Sequence, residues 1–284
     1  MKNVFRVDSL RPSLLRKAYY VTGSFVDSED IVQEALLKWI SMDTQSVANP
    51  SAYLTRVVVH LAINWKKKQA LRRAAYHGEW LPEPVATERA DGIIDSEETI
   101  TYSLLVILER LNAKERAVFI LKEAFDYDHG EIADLLAITP IYSRQLLSRA
   151  KRRLEASPLT STSQDEQSAF VNRFRRILQS GDMMQLETLL REDIVAVSDG
   201  GGKASAGKHP VIGRHRVARM LLGLYRKFYR DVVVTQTFVG GQMALLYWNE
   251  GTIRSCQIFA LNDGRLQQVY LVRNPDKLGS LQKI

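Results

Sequence analysis

The apolar residues change period partway along the chain, and that change limits the fold more than any other feature. Up to about residue 155 they recur three or four apart, as one face of a helix requires. Beyond a Ser/Thr-rich stretch at 156–168 the pattern turns strand-like. Residues 231–239, 242–248, 252–261 and 266–273 form four β-rich runs separated by Gly240-Gly241, Glu250-Gly251 and Asp263-Gly264. Such pairs tolerate the positive φ of two-residue hairpin turns, so the runs read as a meander. Helices are predicted ahead of them at 170–179, 183–191 and about 214–228, with a strand at 194–198. One regular architecture cannot serve both halves. The chain is therefore predicted to be multi-domain: helical modules first, then an α+β domain with helices on a curled antiparallel sheet.

The helical half divides into pieces at 5–75 and 99–155, with a linker at 76–98 between them. In the first piece Ile31, Val32, Ala35, Leu36, Trp39 and Ile40 form one stripe, with Asp27 expected as the N-cap. Asn49-Pro50 opens a second helix. Its stripe is Tyr53, Leu54, Val57, Val58, Leu61, Ala62 and Trp65, while Arg56, His60, Asn64 and Lys67 take the other face. Two prolines in Trp80-Leu81-Pro82-Glu83-Pro84 preclude a helix interior. A Trp and a Leu in so acidic a linker suggest docking against another surface. The 99–155 piece carries a helix–turn–helix signature. Asp128-His129-Gly130-Glu131 is a capping box, Ala137-Ile138 makes the turn, and Thr139-Pro140 restarts a helix.

Charge is placed more tellingly than its sum. The net charge of +7 falls almost wholly on the tail, since residues 1–156 hold 22 basic against 21 acidic side chains and 157–284 hold 17 against 11. Within the first half the signs are segregated. Residues 56–73 and 144–153 are basic without an acid, and 79–98 is acidic apart from Arg89. A basic second helix of a helix–turn–helix suits the major groove. There Arg144 and Gln145 have the chemistry to read guanine and adenine edges, with Arg149, Lys151, Arg152 and Arg153 on phosphates. The 50–69 helix, with Arg56, His60, Asn64 and the lysine run, suits a nucleic-acid strand. No apolar run approaches a membrane span, no secretory signal is expected at the N-terminus, and a lone Cys256 excludes an internal disulfide. A cytoplasmic protein without metal or cofactor is the expectation.

Several stretches resemble bacterial extracytoplasmic-function sigma factors. Asp27-Ser28-Glu29-Asp30-Ile31-Val32-Gln33-Glu34-Ala35 and Ala62-Ile63-Asn64-Trp65-Lys66 are similar to sigma region two. Leu111 to Phe119, Glu131-Ile132-Ala133 and Arg149 to Leu154 are similar to region four. Trp80 to Pro84, Asp199-Gly200-Gly201-Gly202-Lys203 and Asn274-Pro275-Asp276-Lys277-Leu278 resemble three short motifs of the group fused to a C-terminal SnoaL-like domain, a cone-shaped α+β barrel. The resemblance implies region two at 5–75, region four at 99–155 and the SnoaL-like domain at 169–284. It also implies core RNA polymerase and promoter DNA as partners, and promoter recognition and transcription initiation as the activity. Asp30, Gln33 and Glu34 would bind core polymerase. Arg56, His60, Asn64, Lys67 and Lys68 would open and hold the −10 element, and Arg144, Gln145, Ser148, Arg149, Lys151 and Arg152 would read the −35 element. The acidic linker would thread the polymerase cleft. Asn64 stands where the family more often has Asp, His60 replaces a small or polar residue, and Ala137 replaces a turn glycine, at little cost if its φ is negative.

Some SnoaL-like domains are enzymes, and the acid–base candidates here are Asp199, His209, His215 and Asp231. They form no evident constellation, so no enzyme is expected. A small ligand of unidentified class remains open for the tail. Trp80–Pro84 is expected to dock on the tail, making the tail a regulator of the two DNA-binding pieces. Asp199–Lys203 is expected to contact either the linker or the polymerase, and Asn274–Leu278 to serve an interdomain or regulatory role. Two rival readings are a ligand-responsive helix–turn–helix repressor or activator with a sensory tail, and a SnoaL-like enzyme on a helical scaffold.

Overall fold

A computed structural model describes residues 7, 9–44, 46–73, 76–87, 100–154 and 162–283. The acidic residues Glu88, Asp91, Asp95, Glu97 and Glu98 lie outside that set. The described residues form two compact units. The first holds those up to 73, residue 100 and 104–154; the second holds 76–87, 101–103 and 162–283. No helix among the described residues is long and apolar enough to cross a membrane.

The first unit is all-α. Its helices are α1 (Arg11–Thr22), α2 (Phe25–Ser41), α3 (Pro50–Arg73), α4 (Tyr102–Leu108, within this unit from Leu104), α5 (Ala113–Glu123), α6 (His129–Leu136) and α7 (Pro140–Leu154). The N-cap of α2 lies three residues before the expected one. Ser24 is its N-cap, because Phe25 is already buried and helical. The Asp27 carboxylate is thereby freed to accept the Trp65 indole N–H at 3.0 Å. Helix α3 packs against α1, α2, α5 and α6, so Leu54, Val58, Val59, Ala62 and Ile63 are buried around more than one face.

The helix–turn–helix forms as the capping pattern requires. Asp128 accepts from the Glu131 amide and Glu131 from the Asp128 amide, both at 2.8 Å. The turn differs from expectation at one residue. Ala137 is left-handed, with φ of 51°, because it closes α6 with its amide on the Ala133 carbonyl. A Cβ there is strained, by about 1 kcal/mol.

The second unit is α+β. Helices α8 (Gln164–Ser180), α9 (Met183–Leu189) and α10 (Arg214–Leu224), the last running into a π-helical turn at Tyr225–Tyr229, cover one face of a six-stranded sheet. Its strands are β1 (Leu190–Asp199), β2 (Val211–Ile212), β3 (Val233–Val239), β4 (Gln242–Asn249), β5 (Thr252–Asn262) and β6 (Arg265–Val272), in the order β2-β1-β6-β5-β4-β3. β3 to β6 form the expected meander, with positive φ at both residues of each Gly-containing turn. The sheet as a whole is mixed, however, because β1 lies parallel to β6. The long connection between them, which contains α10 and the four strands β2 to β5, permits that direction. Phe170, Phe174, Leu178, Val217 and Leu221 pack on the face that carries Leu245, Tyr247, Phe259, Val269 and Leu271. Alternation turns Tyr270 to the other face, where it meets Tyr102 edge-on at 5.4 Å.

Replacing Ala137 with Gly should raise the stability of the helical unit by roughly 0.5–1 kcal/mol, since relief of the left-handed strain outweighs the added chain entropy. Urea unfolding followed at 222 nm checks this. A destabilised A137G would show that the Ala137 methyl makes packing worth more than the strain.

Candidate functional site

Helix α7 presents the predicted groove-facing residues to solvent. Ser143, Leu146 and Ala150 are buried, while Arg144, Gln145, Ser148, Arg149, Lys151 and Arg152 are exposed. Two basic residues near its end are tied down on the surface: Lys151 pairs with Glu123 at 2.9 Å, and Arg153 with Glu115 at 2.7 Å. The Lys151–Glu123 pair is exposed on both sides and so is weak and easily exchanged for phosphate, whereas the Glu115 carboxylate that Arg153 meets is buried.

On α2, Asp30, Gln33 and Glu34 are exposed, and the same face carries two large apolar residues. Leu37 is 60% exposed and Ile40 66%. Val26, also exposed, lies on that face by helical spacing.

The outward face of α3 is divided. Arg56, Asn64, Lys67 and Lys68 are exposed, but a ring nitrogen of His60 lies 2.8 Å from the Leu135 carbonyl at the end of α6. Arg56 lines a cleft of about 650 Å³ whose opposite wall includes Asp126, Glu131 and Asp134. Lys66, part of the basic run, is not on the surface at all. Its ammonium reaches the Glu109 carboxylate at 2.7 Å and the Thr22 carbonyl at 3.0 Å. Arg73 meets Glu109 at 2.5 Å, and Arg116, with no exposed surface, bonds both Glu109 and the Tyr20 carbonyl.

Three cations thus converge on one buried carboxylate, joining α1 and α3 to α4 and α5. Burial would raise the Glu109 carboxyl, but Arg116, Lys66 and Arg73 hold it well below the usual carboxylate range. Burial, then Arg116, lowers the Lys66 ammonium well below its ordinary value despite Glu109. The sequence reading missed this cluster. Its signal was a charge at an apolar-stripe spacing: Lys66 four after Ala62 in α3, Glu109 four after Leu105 just past the end of α4, and Arg116 four before Ile120 in α5.

In the second unit the three short motifs meet at Asp199, which is fully buried at the end of β1. One carboxylate oxygen accepts from the Tyr76 hydroxyl at 2.6 Å and the Gly201 amide at 3.0 Å. The other accepts from the Leu81 amide at 2.9 Å and the Lys277 ammonium at 2.6 Å. Lys277 also donates to the Leu81 carbonyl at 2.6 Å and lies 3.2 Å from the centre of the Trp80 ring. The Asn274 amide donates to the Tyr76 oxygen at 3.0 Å, and Lys203 pairs with Asp276 at 2.6 Å. Farther along, Pro82 O accepts from Tyr102 and Pro84 O from Ser280, and Thr87 bonds Phe238 and Gly241. Pro275 and Asp276 form a 3-10 turn that carries Lys277 inward, and Leu278 is buried. The glycines are a steric requirement. A Cβ on Gly200 would strike the Ala204 carbonyl, and one on Gly201, at φ of 60°, would strike the Asn274 amide. Burial and the neighbouring Asp199 push the Tyr76 phenol up, so it remains a donor. Tyr76, absent from the sequence reading, sits four residues before Trp80 and stacks on it edge-on at 4.9 Å.

The acid–base candidates do not converge. Asp199 is consumed by these contacts, His215 bonds Glu187 at 2.8 Å, and His209 and Asp231 are exposed.

Residues 6–72 match the family Sigma-70 region 2, and residues 102–154 match Sigma-70, region 4. The chain is 31% identical to the ECF RNA polymerase sigma factor SigJ of Mycobacterium tuberculosis H37Rv, over 96% of this chain and 92% of that one. It is 27% identical to the probable ECF RNA polymerase sigma factor SigI of the same species, over 96% and 93%. The crystal structure of M. tuberculosis SigJ superposes with a TM-score of 0.79 at 29% identity, covering 98% of both chains.

Glu109→Gln should destabilise the helical unit by about 3–5 kcal/mol, because Lys66 and Arg116 lose their counter-charge while buried. The wild-type contribution is fully present above the unfolded carboxyl's pKa of about 4.3 and is lost as pH falls toward the lower folded value. Acid unfolding should therefore be steeper in wild type than in E109Q. Asp199→Asn, which leaves Lys277 without its charge partner, should make the chain cleave faster at Tyr76 and Trp80 under limited chymotrypsin digestion. Unchanged cleavage would mean that Asp199 does not hold the tether.

Proposed function

The chain belongs to the extracytoplasmic-function RNA polymerase sigma factors, and from that membership we propose how its surfaces divide the work of starting transcription. A sigma factor binds core RNA polymerase and promoter DNA and directs initiation, which places this one in the cytoplasm. Core polymerase docks on the α2 face of Asp30, Gln33, Glu34, Leu37 and Ile40. The recognition helix α7 reads the −35 element through Arg144 and Gln145, with Ser148, Arg149, Lys151 and Arg152 on the backbone. Arg56, His60, Asn64, Lys67 and Lys68 of α3 hold the −10 element.

The observation that carries this reading is the packing of α3 on α5 and α6. The two promoter elements are about 25 base pairs apart, or about 85 Å along the duplex. A packed unit of about 140 residues has a radius of gyration of only about 14 Å. A unit held together by the Glu109 cluster and the His60–Leu135 contact cannot reach both elements. The free chain is therefore closed, and region four separates from α3 when polymerase takes hold of α2 and the linker. The tail regulates that step by gripping the linker at Trp80–Pro84, so that region four opens on a tether of set length.

Run-off transcription with core polymerase tests the reading on the full chain. Truncation near residue 160 would strip the cover from Leu81, Val85 and Tyr102, all buried in the second unit. Arg144→Ala and Gln145→Ala should each lower transcript from a −35-dependent promoter about tenfold, consistent with 1–3 kcal/mol per base contact. Leu37→Ser with Ile40→Ser should reduce pull-down of core polymerase. A chain that starts no transcript and captures no polymerase would overturn the assignment of these surfaces, whereas tight promoter binding without polymerase would favour the repressor reading.

A further inference from the structure

A cavity of about 280 Å³ lies in the second unit, beside the helix-covered face of the sheet, and nothing in sigma-factor chemistry accounts for its lining. Phe228, Tyr229, Tyr247 and Trp248 supply aromatic wall, and Ile253 and Leu278 supply aliphatic wall. Lys203, Arg254 and Arg273 also line it, and no carboxylate does. A wall that is apolar with cations and no acid selects an anion with an apolar body.

The groups at the cavity are built rather than casual. Tyr229 stacks on Tyr247 at 3.9 Å, and the Tyr247 hydroxyl is anchored on Gln257 at 3.0 Å. The sheet register shifts between Tyr247 and Trp248, which redirects the strand as it passes the cavity. Lys203 is neutralised by Asp276, but Arg273 has no ion-pair partner among the described residues. Its guanidinium lies 4.6 Å from the Phe228 ring centre, with one nitrogen on the Ser205 carbonyl. Its Nε is buried without a hydrogen-bond partner, and so is the Tyr229 hydroxyl. Both atoms belong to residues that line the cavity, and the other guanidinium nitrogens of Arg273 are the charged donors it can offer there.

We propose that this cavity is a binding site for a small planar carboxylate, its flat apolar body between Phe228, Tyr229 and Trp248 and its carboxylate on the Arg273 guanidinium. The volume sits at the low end of small-molecule sites, so the ligand has about one or two rings. The Arg273 amide bonds the Asp199 carbonyl at 2.7 Å, which puts the site one residue from the grip on the tether. The site itself stands independently of the transcription reading.

Isothermal titration of the full chain tests it, with 2-naphthoate as probe and 2-naphthalenemethanol as its uncharged counterpart. Naphthoate is expected to bind once per chain, with the alcohol at least tenfold weaker. Arg273→Gln should cost at least tenfold in naphthoate affinity, and Arg273→Lys should recover part of it. Thr252→Glu, which adds a negative charge to the wall without touching Arg273, should weaken naphthoate at least tenfold and leave the alcohol unchanged. The proposal fails if naphthoate gives no heat at millimolar concentration, if acid and alcohol bind alike, or if a folded R273Q or T252E keeps wild-type affinity. A chain that binds naphthoate but starts no transcript leaves this site standing and overturns only the transcription reading.

Discussion

A carboxylate with no exposed surface must be given a partner for each lone pair, and Asp199 draws its partners from its own Gly-rich turn and from two distant stretches of chain. That requirement organises the second unit. The Gly-rich turn after β1 has to approach closely enough for the Gly201 amide to donate. Lys277 has to be buried to meet the charge, and once buried it needs the Leu81 carbonyl and the Trp80 ring to replace water. The segment from Tyr76 to Thr87, which has no helix and is not a strand of the sheet, is thereby folded into the α+β domain as one of its parts. A buried pair of this kind contributes less to net stability than to a single arrangement of the groups around it.

The helical unit is organised by a second buried carboxylate with the same logic and a different purpose. Glu109 gathers Lys66, Arg73 and Arg116 and so fastens the region-two helices to the region-four helices. An apolar contact of similar area would be as strong and would have no reason to part. A charge cluster can exchange its partners for water or for the charged surfaces of another macromolecule, as the proposed opening of this junction requires. Groups proposed for promoter contact are also engaged within the unit: His60 with a backbone carbonyl, Lys151 and Arg153 with glutamates.

Much of this was legible beforehand. The Asp128–Glu131 capping box and the Gly-containing hairpin turns are local instructions and formed where they were read, whereas the cap expected at Asp27 moved to Ser24. The exposed residues of α7 followed from its period. Lys66 was misplaced because a lysine run reads as a surface, and only the neighbouring helices reveal that one of the three points inward. Ala137 took the left-handed conformation that its side chain disfavours because closing the helix–turn–helix requires it. The β1–β6 pairing escaped notice because strand direction across a long connection is set by packing and not by any residue along the way.

The sequence by itself determined the modules. Helical and strand periods, caps, prolines and turn pairs act over a few residues, so they fix which segments become helices, strands and tether. Only the tertiary structure decided what the charged residues among them do. Asp199 and Lys277 are 78 positions apart, and Lys66 and Glu109 are 43. Whether such a residue faces solvent, a phosphate or another buried charge depends on which helices and strands enclose it, because desolvation is a property of the surroundings and not of the side chain.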